Sequence, residues 1–177
     1  MNDYGMIIEP GTLRIQRLLP GPLERVWAYL TESDKRATWL ATGEMTLQKG
    51  ATVELVFCNS ELAGEHENPP AKYKQYGGKV TNTGHITCIF PPRLLSFTWA
   101  EQGEGRPSEV TFELVEQGDN VLLTVIHRRL PNRDTMLNVA GGWHTHLDIL
   151  RDRLQERPPR PFWATFTQME DEYRAKL

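Results

Sequence analysis

Three histidines stand where chemistry is conceivable: His127 at the end of an apolar run, and His144 and His146 two residues apart. Imidazole changes charge near neutral pH and is the commonest metal ligand. Residues i and i+2 of a helix lie about 200° apart, however, so His144 and His146 cannot grip one ion from one face. They flank the apolar stripe of Trp143, Leu147 and Leu150 on opposite sides, the place for groove-edge residues that hydrogen-bond the sheet or its loops. His127 follows Val121, Leu123 and Val125 at period 2 and so faces inward. Three roles are open to it: a satisfied core histidine bonded to backbone, the polar anchor of a ligand cavity, or a general acid or base. No metal site and no cofactor is expected.

The chain holds no G-x-S-x-G, no phosphate-binding loop and no dinucleotide fingerprint. Cys58 and Cys88 have neither C-x-x-C spacing nor a base partner, and two free thiols fit a reducing, cytoplasmic setting. Cys88 alternates with Ile86 and Phe90, which places it inward as an inert thiol. Seven arginines between Arg128 and Arg160 accompany Asp134, Asp148, Asp152 and Glu156. Their pattern reads as a solvated helix face with i,i+4 pairs, the sharper alternative being a rim for an anionic ligand.

These residues need a scaffold, and 177 residues of which 39% are hydrophobic suit one domain with a sizeable core. Twenty basic against 23 acidic residues give a net charge of −3, which speaks against a nucleic-acid partner. No apolar run approaches the ~20 residues of a membrane span, and the N-terminus lacks the basic and apolar regions of a secretion signal.

Thr12 to Leu19 alternates as a strand with Leu13, Ile15 and Arg17 on one face. Pro22 suits a helix start, followed at helical spacing by Leu23, Val26, Trp27 and Leu30, and Ser33 suits the N-cap of a second short helix ending near Trp39. Five further strands put Val53, Leu55 and Phe57, then Ile86, Cys88 and Phe90, then Leu95, Phe97 and Trp99, then Val110, Phe112 and Leu114, then Val121 to His127 on one apolar face. Turns at Pro91-Pro92, Gly103-Glu104-Gly105 and Gln117 to Asn120 separate them. Met136, Ala140, Trp143, Leu147, Leu150 and Leu154 form the stripe of a long helix that Pro158, Pro159 and Pro161 end. Phe162, Phe166, Met169 and Tyr173 share a face of a short tail helix that docks back. Residues 59–78 are polar and aperiodic, either a lid or a tolerated insertion. The expected organisation is one domain over 1–177, with a core at 12–156, the loop at 59–78 and the tail at 157–177.

The run Gly84-His-Ile-Thr-Cys-Ile-Phe-Pro-Pro-Arg-Leu-Leu-Ser-Phe-Thr-Trp99 resembles a signature of Hsp90-ATPase-activator-like (AHSA1-like) proteins of the START/Bet v 1-like (SRPBCC) superfamily. The likeness continues through Ser108 to Leu114, Val121 to His127, and Gly141-Gly-Trp-His-Thr-His-Leu147. It implies an α+β helix-grip fold, a curved antiparallel sheet wrapped around a long C-terminal helix, here with a short extra C-terminal helix, and an internal hydrophobic cavity. The residues expected to frame that cavity are Trp39, Phe57, Cys88, Phe97, Trp99, Phe112, Val125, His127, Met136, Trp143 and Leu147. The leading expectation is non-enzymatic binding of a small hydrophobic or amphipathic molecule. The alternatives are a cyclase- or hydratase-like enzyme on a hydrophobic substrate, or a co-chaperone-like activator of an Hsp90-type ATPase. Ile149, about 135° off the buried stripe, needs cover from the tail helix or from a second copy in a homodimer.

Overall fold

The computed structural model describes residues 2–101 and 104–177, so Gly103 of the expected turn lies outside the described residues. The alternating segments form strands β1 (Met6–Glu9), β2 (Thr12–Pro20), β3 (Thr52–Phe57), β4 (Val80–Phe90), β5 (Leu94–Trp99), β6 (Ser108–Gln117) and β7 (Asn120–Arg128). They make a single antiparallel sheet of order β1-β2-β7-β6-β5-β4-β3. Leu13, Ile15 and Arg17 of β2 are buried together, as period 2 requires. β1 carried no alternation to find it by: its four residues are all exposed, at one edge of the sheet. The opposite edge is closed. Thr42 and Met45 bridge Val56 and Val53 of β3, and the Glu54 N–H donates to the Glu44 carbonyl at 3.0 Å.

Helix α1 (Leu23–Thr31) begins after Pro22, and α2 (Ser33–Arg36) is capped by Glu32 rather than Ser33, whose hydroxyl instead accepts the Gly43 N–H at 3.1 Å. Helix α3 (Arg133–Leu154) starts where Asn132 accepts the Thr135 N–H at 2.9 Å, and its apolar stripe is buried against the sheet. Helix α4 (Phe162–Lys176) lays Phe162, Phe166, Met169 and Tyr173 onto the same core. Ile149 is fully buried within the single chain, which removes the reason for seeking a second copy there.

One strand departs from its pattern. β4 and β5 pair Ile86 with Phe97, but then Cys88 with Ser96, Ile89 with Leu95 and Phe90 with Leu94. The extra residue at Thr87 is a β-bulge, and one residue of slip exchanges the two faces. Ile89 therefore turns inward, while Cys88 and Phe90 turn outward and leave Phe90 66% exposed. Just before the bulge, Gly84 is obligatory: a Cβ there would lie 1.9 Å from the Thr98 carbonyl oxygen.

The arginines do not form a solvated intrahelical ladder. Arg17 is buried at Asp148, Arg160 clamps Asp148 and Asp152, Arg151 pairs with Asp3, and Arg153 donates to the carbonyls of Thr38 and Leu62. These links tie α3 to other elements, which is why Asp148 and Asp152 are themselves buried. Among the described residues no helix is long and apolar enough to cross a membrane.

Candidate functional site

The middle of the grip is full. Phe97 sits 6.0 Å from Phe112 and 6.1 Å from Trp99 between ring centres, Phe112 meets Trp143 edge-on at 5.6 Å, and Trp99 lies 5.4 Å from Trp143. Rings at such spacings are in contact, with no room for a ligand between them. Phe97, Phe112, Val125, Met136 and Leu147 are thus core filling rather than cavity wall. Trp39 is also core: fully buried, it donates its indole N–H to the Tyr29 carbonyl at 2.7 Å, and its neighbour Leu40 reaches the wall instead. Cys88 is excluded by the bulge.

Open space lies to one side, a cavity of about 530 Å³. Of the residues named from the sequence, Phe57, Trp99, His127 and Trp143 lie in its lining. The rest of the wall includes Asn138, Val139, Gly142 and His146 from α3, Phe162, Trp163 and Phe166 from α4, and Asn59, Tyr73 and Tyr76 from the aperiodic loop. The lid alternative for residues 59–78, the groove-edge reading of His146 and the helical spacing of Phe162 and Phe166 pointed to these segments without saying which side chains face the space, and Asn138, Val139, Gly142 and Trp163 carried no signal.

Loop and tail form one wall because they are bonded to each other. The Glu67 carboxylate accepts the N–H groups of Trp163 at 2.8 Å and Ala164 at 3.0 Å, satisfying donors that the first turn of α4 leaves without helical partners. Ser60 accepts the Trp163 indole N–H at 2.9 Å, and Tyr73 and Lys72 both bond Glu170. Tyr73 then stacks on Trp163 at 5.9 Å.

His127 is a settled residue. The indole N–H of Trp143 can only donate, so His127 Nδ1, 3.0 Å away, is the unprotonated acceptor. The proton sits on Nε2 and is donated to Ser108 Oγ at 2.9 Å. Burial, aided by the nearby Arg129 charge, pushes its pKa down to about 3. Neither nitrogen is left to anchor a ligand or to take up a further proton.

His146 differs. Its Nδ1 donates to the Trp39 carbonyl at 2.8 Å, and Nε2 has no partner among the described residues. The ring lies between Phe57, at 5.9 Å, and Phe162, at 4.8 Å. Burial pushes its pKa down to about 4, against the opposing pull of the Trp39 carbonyl. Protonating it at pH 7 therefore costs about 4 kcal/mol, so the free lone pair serves as a hydrogen-bond acceptor and not as a base.

His144, on the opposite flank, is saturated. Gly5 N–H donates to the Tyr173 hydroxyl at 2.7 Å, that hydroxyl donates to His144 Nδ1 at 2.9 Å, and Nε2 faces Asp148 at 3.4 Å. The two histidines thus bond the tail helix and a loop carbonyl, and neither bonds the sheet. Among the described residues no cluster of histidine, cysteine and acidic side chains could hold a metal ion.

A family model described as activator of Hsp90 ATPase homolog 1-like protein matches residues 20–155. The chain belongs to this family. Within it, the closing wall from α4 lies beyond the matched stretch, whereas the Asn59 to Tyr76 wall lies inside it. A solved structure from Bordetella parapertussis, a protein determined by NMR, is 44% identical, with 99% of this chain and 91% of that one covered and a TM-score of 0.83. CalU16 from Micromonospora echinospora is 20% identical over 97% of this chain and 93% of its own, with a TM-score of 0.66. DynU16, described as a putative protein in the dynemicin biosynthetic locus, is 20% identical over 86% of this chain but 51% of its own, again at 0.66. The last two share the helix-grip fold. No curated protein is similar to the chain.

Proposed function

We propose that this activator-like protein binds a small, neutral, predominantly apolar molecule in the lateral cavity without transforming it. The observation that carries the reading is a space of about 530 Å³ walled largely by aromatic rings, with no formally charged side chain at neutral pH among the described residues that line it. That volume lies within the range of small-molecule sites, which are mostly apolar with a few placed polar groups. Catalysis calls for titratable groups that converge and can change charge. Here both lining histidines are held neutral.

Gly142 supplies the test. It lines the cavity from α3, and a Cβ built on it meets nothing within 4 Å. A leucine there projects into the open space while replacing the poorest ordinary helix former, a gain of about 0.5–1 kcal/mol. Titration with N-phenyl-1-naphthylamine, whose fluorescence rises in apolar surroundings, is expected to saturate with the native protein and to fail with Gly142→Leu, whose melting temperature is equal or higher. No rise with the native protein, or an equal rise with the variant, overturns the reading.

A further inference from the structure

His146 is more than nine-tenths buried, yet only one of its two ring nitrogens is used. Because a carbonyl oxygen can only accept, the bond to Trp39 fixes the proton on Nδ1 and leaves Nε2 as a bare lone pair in the wall of the cavity. A second acceptor from a residue of the same wall lacks a donor among the described residues: the side-chain oxygen of Asn59 is buried with no hydrogen-bond partner there. Buried acceptors are nearly always paired, so the Asn59 oxygen is an anomaly, while the Nε2 lone pair of His146 opens onto the cavity and is free to take a donor from outside the chain. The two nearest indole donors of the wall are committed elsewhere, Trp143 to His127 and Trp163 to Ser60.

Resting on the binding function proposed above, we infer that the ligand is an uncharged, ring-containing molecule that carries a hydroxyl or N–H donor and places it on Nε2 of His146. Phe57 and Phe162 flank the imidazole and hold the rest of the molecule. A carboxylate or phosphate is disfavoured twice, by the absence of a cationic side chain among the described lining residues and by repulsion from the Nε2 lone pair. A tertiary amine or ether of the same shape fits the walls but leaves both acceptors bare.

The test compares 2-naphthol with 2-methoxynaphthalene, which keeps the ring and the oxygen and lacks the donor. Equilibrium dialysis with the full chain is expected to show about tenfold tighter binding of 2-naphthol, the usual worth of filling an otherwise unpaired buried acceptor. In His146→Asn the side-chain amide still donates to the Trp39 carbonyl but reaches no further, so the preference is expected to vanish while 2-methoxynaphthalene binds as before. His146→Gln, which returns an acceptor near the Nε2 position, is expected to recover part of it. Equal affinities in the native protein, or a preference that survives in His146→Asn, overturn the inference while leaving the cavity a binding site. Where His146→Asn does not fold, His146→Gln stands in for it, and a preference there as large as in the native protein overturns the inference. Binding of neither naphthalene overturns both the inference and the function on which it rests.

Discussion

Helix α3 presents two histidines two residues apart, and their surroundings could hardly differ more. On the His144 flank the ring and its neighbours are densely bonded, with Arg151 Nε the unpartnered buried atom there among the described residues: Asp148 receives Arg17 at 2.9 Å, Arg160 at 3.1 Å and His144, while Tyr173 links His144 to the N-terminal segment. On the His146 flank the walls are aromatic, the space is open, and two acceptors lack donors. The same residue type on the same helix is a structural tie on one side and an unfinished bond on the other. Saturation of the hydrogen-bonding inventory, rather than burial, separates them, since both rings are about equally buried.

If that contrast is right, the saturated flank should hold the fold and the open flank should not. Asp148→Asn is the harshest test. It strands the Arg17 guanidinium, which has no exposure of its own, and breaking a buried pair from one side costs about 3 kcal/mol or more. Urea denaturation should show that loss, while N-phenyl-1-naphthylamine binding by the remaining folded protein stays unchanged. A parallel fall in binding would mean that the flanks are coupled through α3.

The next largest effect is on acid stability. Burial alone raises the Asp148 carboxyl, but the hydrogen bond from His144 and the charges of Arg17 and Arg160 outweigh it and hold the pKa down at about 2, against 3.8 for the ordinary group. A carboxyl depressed on folding stabilises the native state above its unfolded value and loses that contribution as pH falls through the folded one. Between about pH 4 and pH 2 the native protein should therefore lose about 2 kcal/mol that Asp148→Asn does not lose. Equal slopes for the two proteins would place the acid sensitivity elsewhere.

The strands and the long helix were legible because period 2 and period 3.6 report directly which face is buried. Leu13, Ile15 and Arg17 on β2, and Met136 through Leu154 on α3, needed nothing else. The cavity was legible in part: Phe57, Trp99, His127 and Trp143 were placed by the same periods. Parity cannot reveal an inserted residue, so the bulge at Thr87 sent Cys88 and Phe90 to the wrong side. Nor can it say whether a ring meets another ring, as Phe97 and Phe112 do, or empty space. Tyr73 and Asn59 lie in a segment without any period, and their positions follow from long-range bonds to α4 that no local pattern encodes.

Those bonds give a third way to sharpen the contrast. Glu67→Ala removes both acceptors from the first turn of α4, which should cost about 1 kcal/mol in denaturation and speed release of N-phenyl-1-naphthylamine in stopped-flow measurements, because loop and tail separate more readily. An unchanged release rate would mean that ligands enter and leave by another wall. The smallest effect belongs to Cys88→Ser. On the outer face it should change stability by no more than about 0.5 kcal/mol, whereas an inward hydroxyl without a partner would cost about 1–3 kcal/mol.

The two edges of the sheet carry a consequence of their own. β3 is sealed by the Thr42 and Met45 bridges, whereas β1 ends the sheet with the exposed side chains of Met6, Ile7 and Ile8. A sheet that adds neighbours on both sides can grow without limit; one with a single open side has a valence of one. Two molecules that meet through β1 consume each other's free edge, so self-association through the sheet stops at a closed pair, and linear polymerisation has no second end from which to continue.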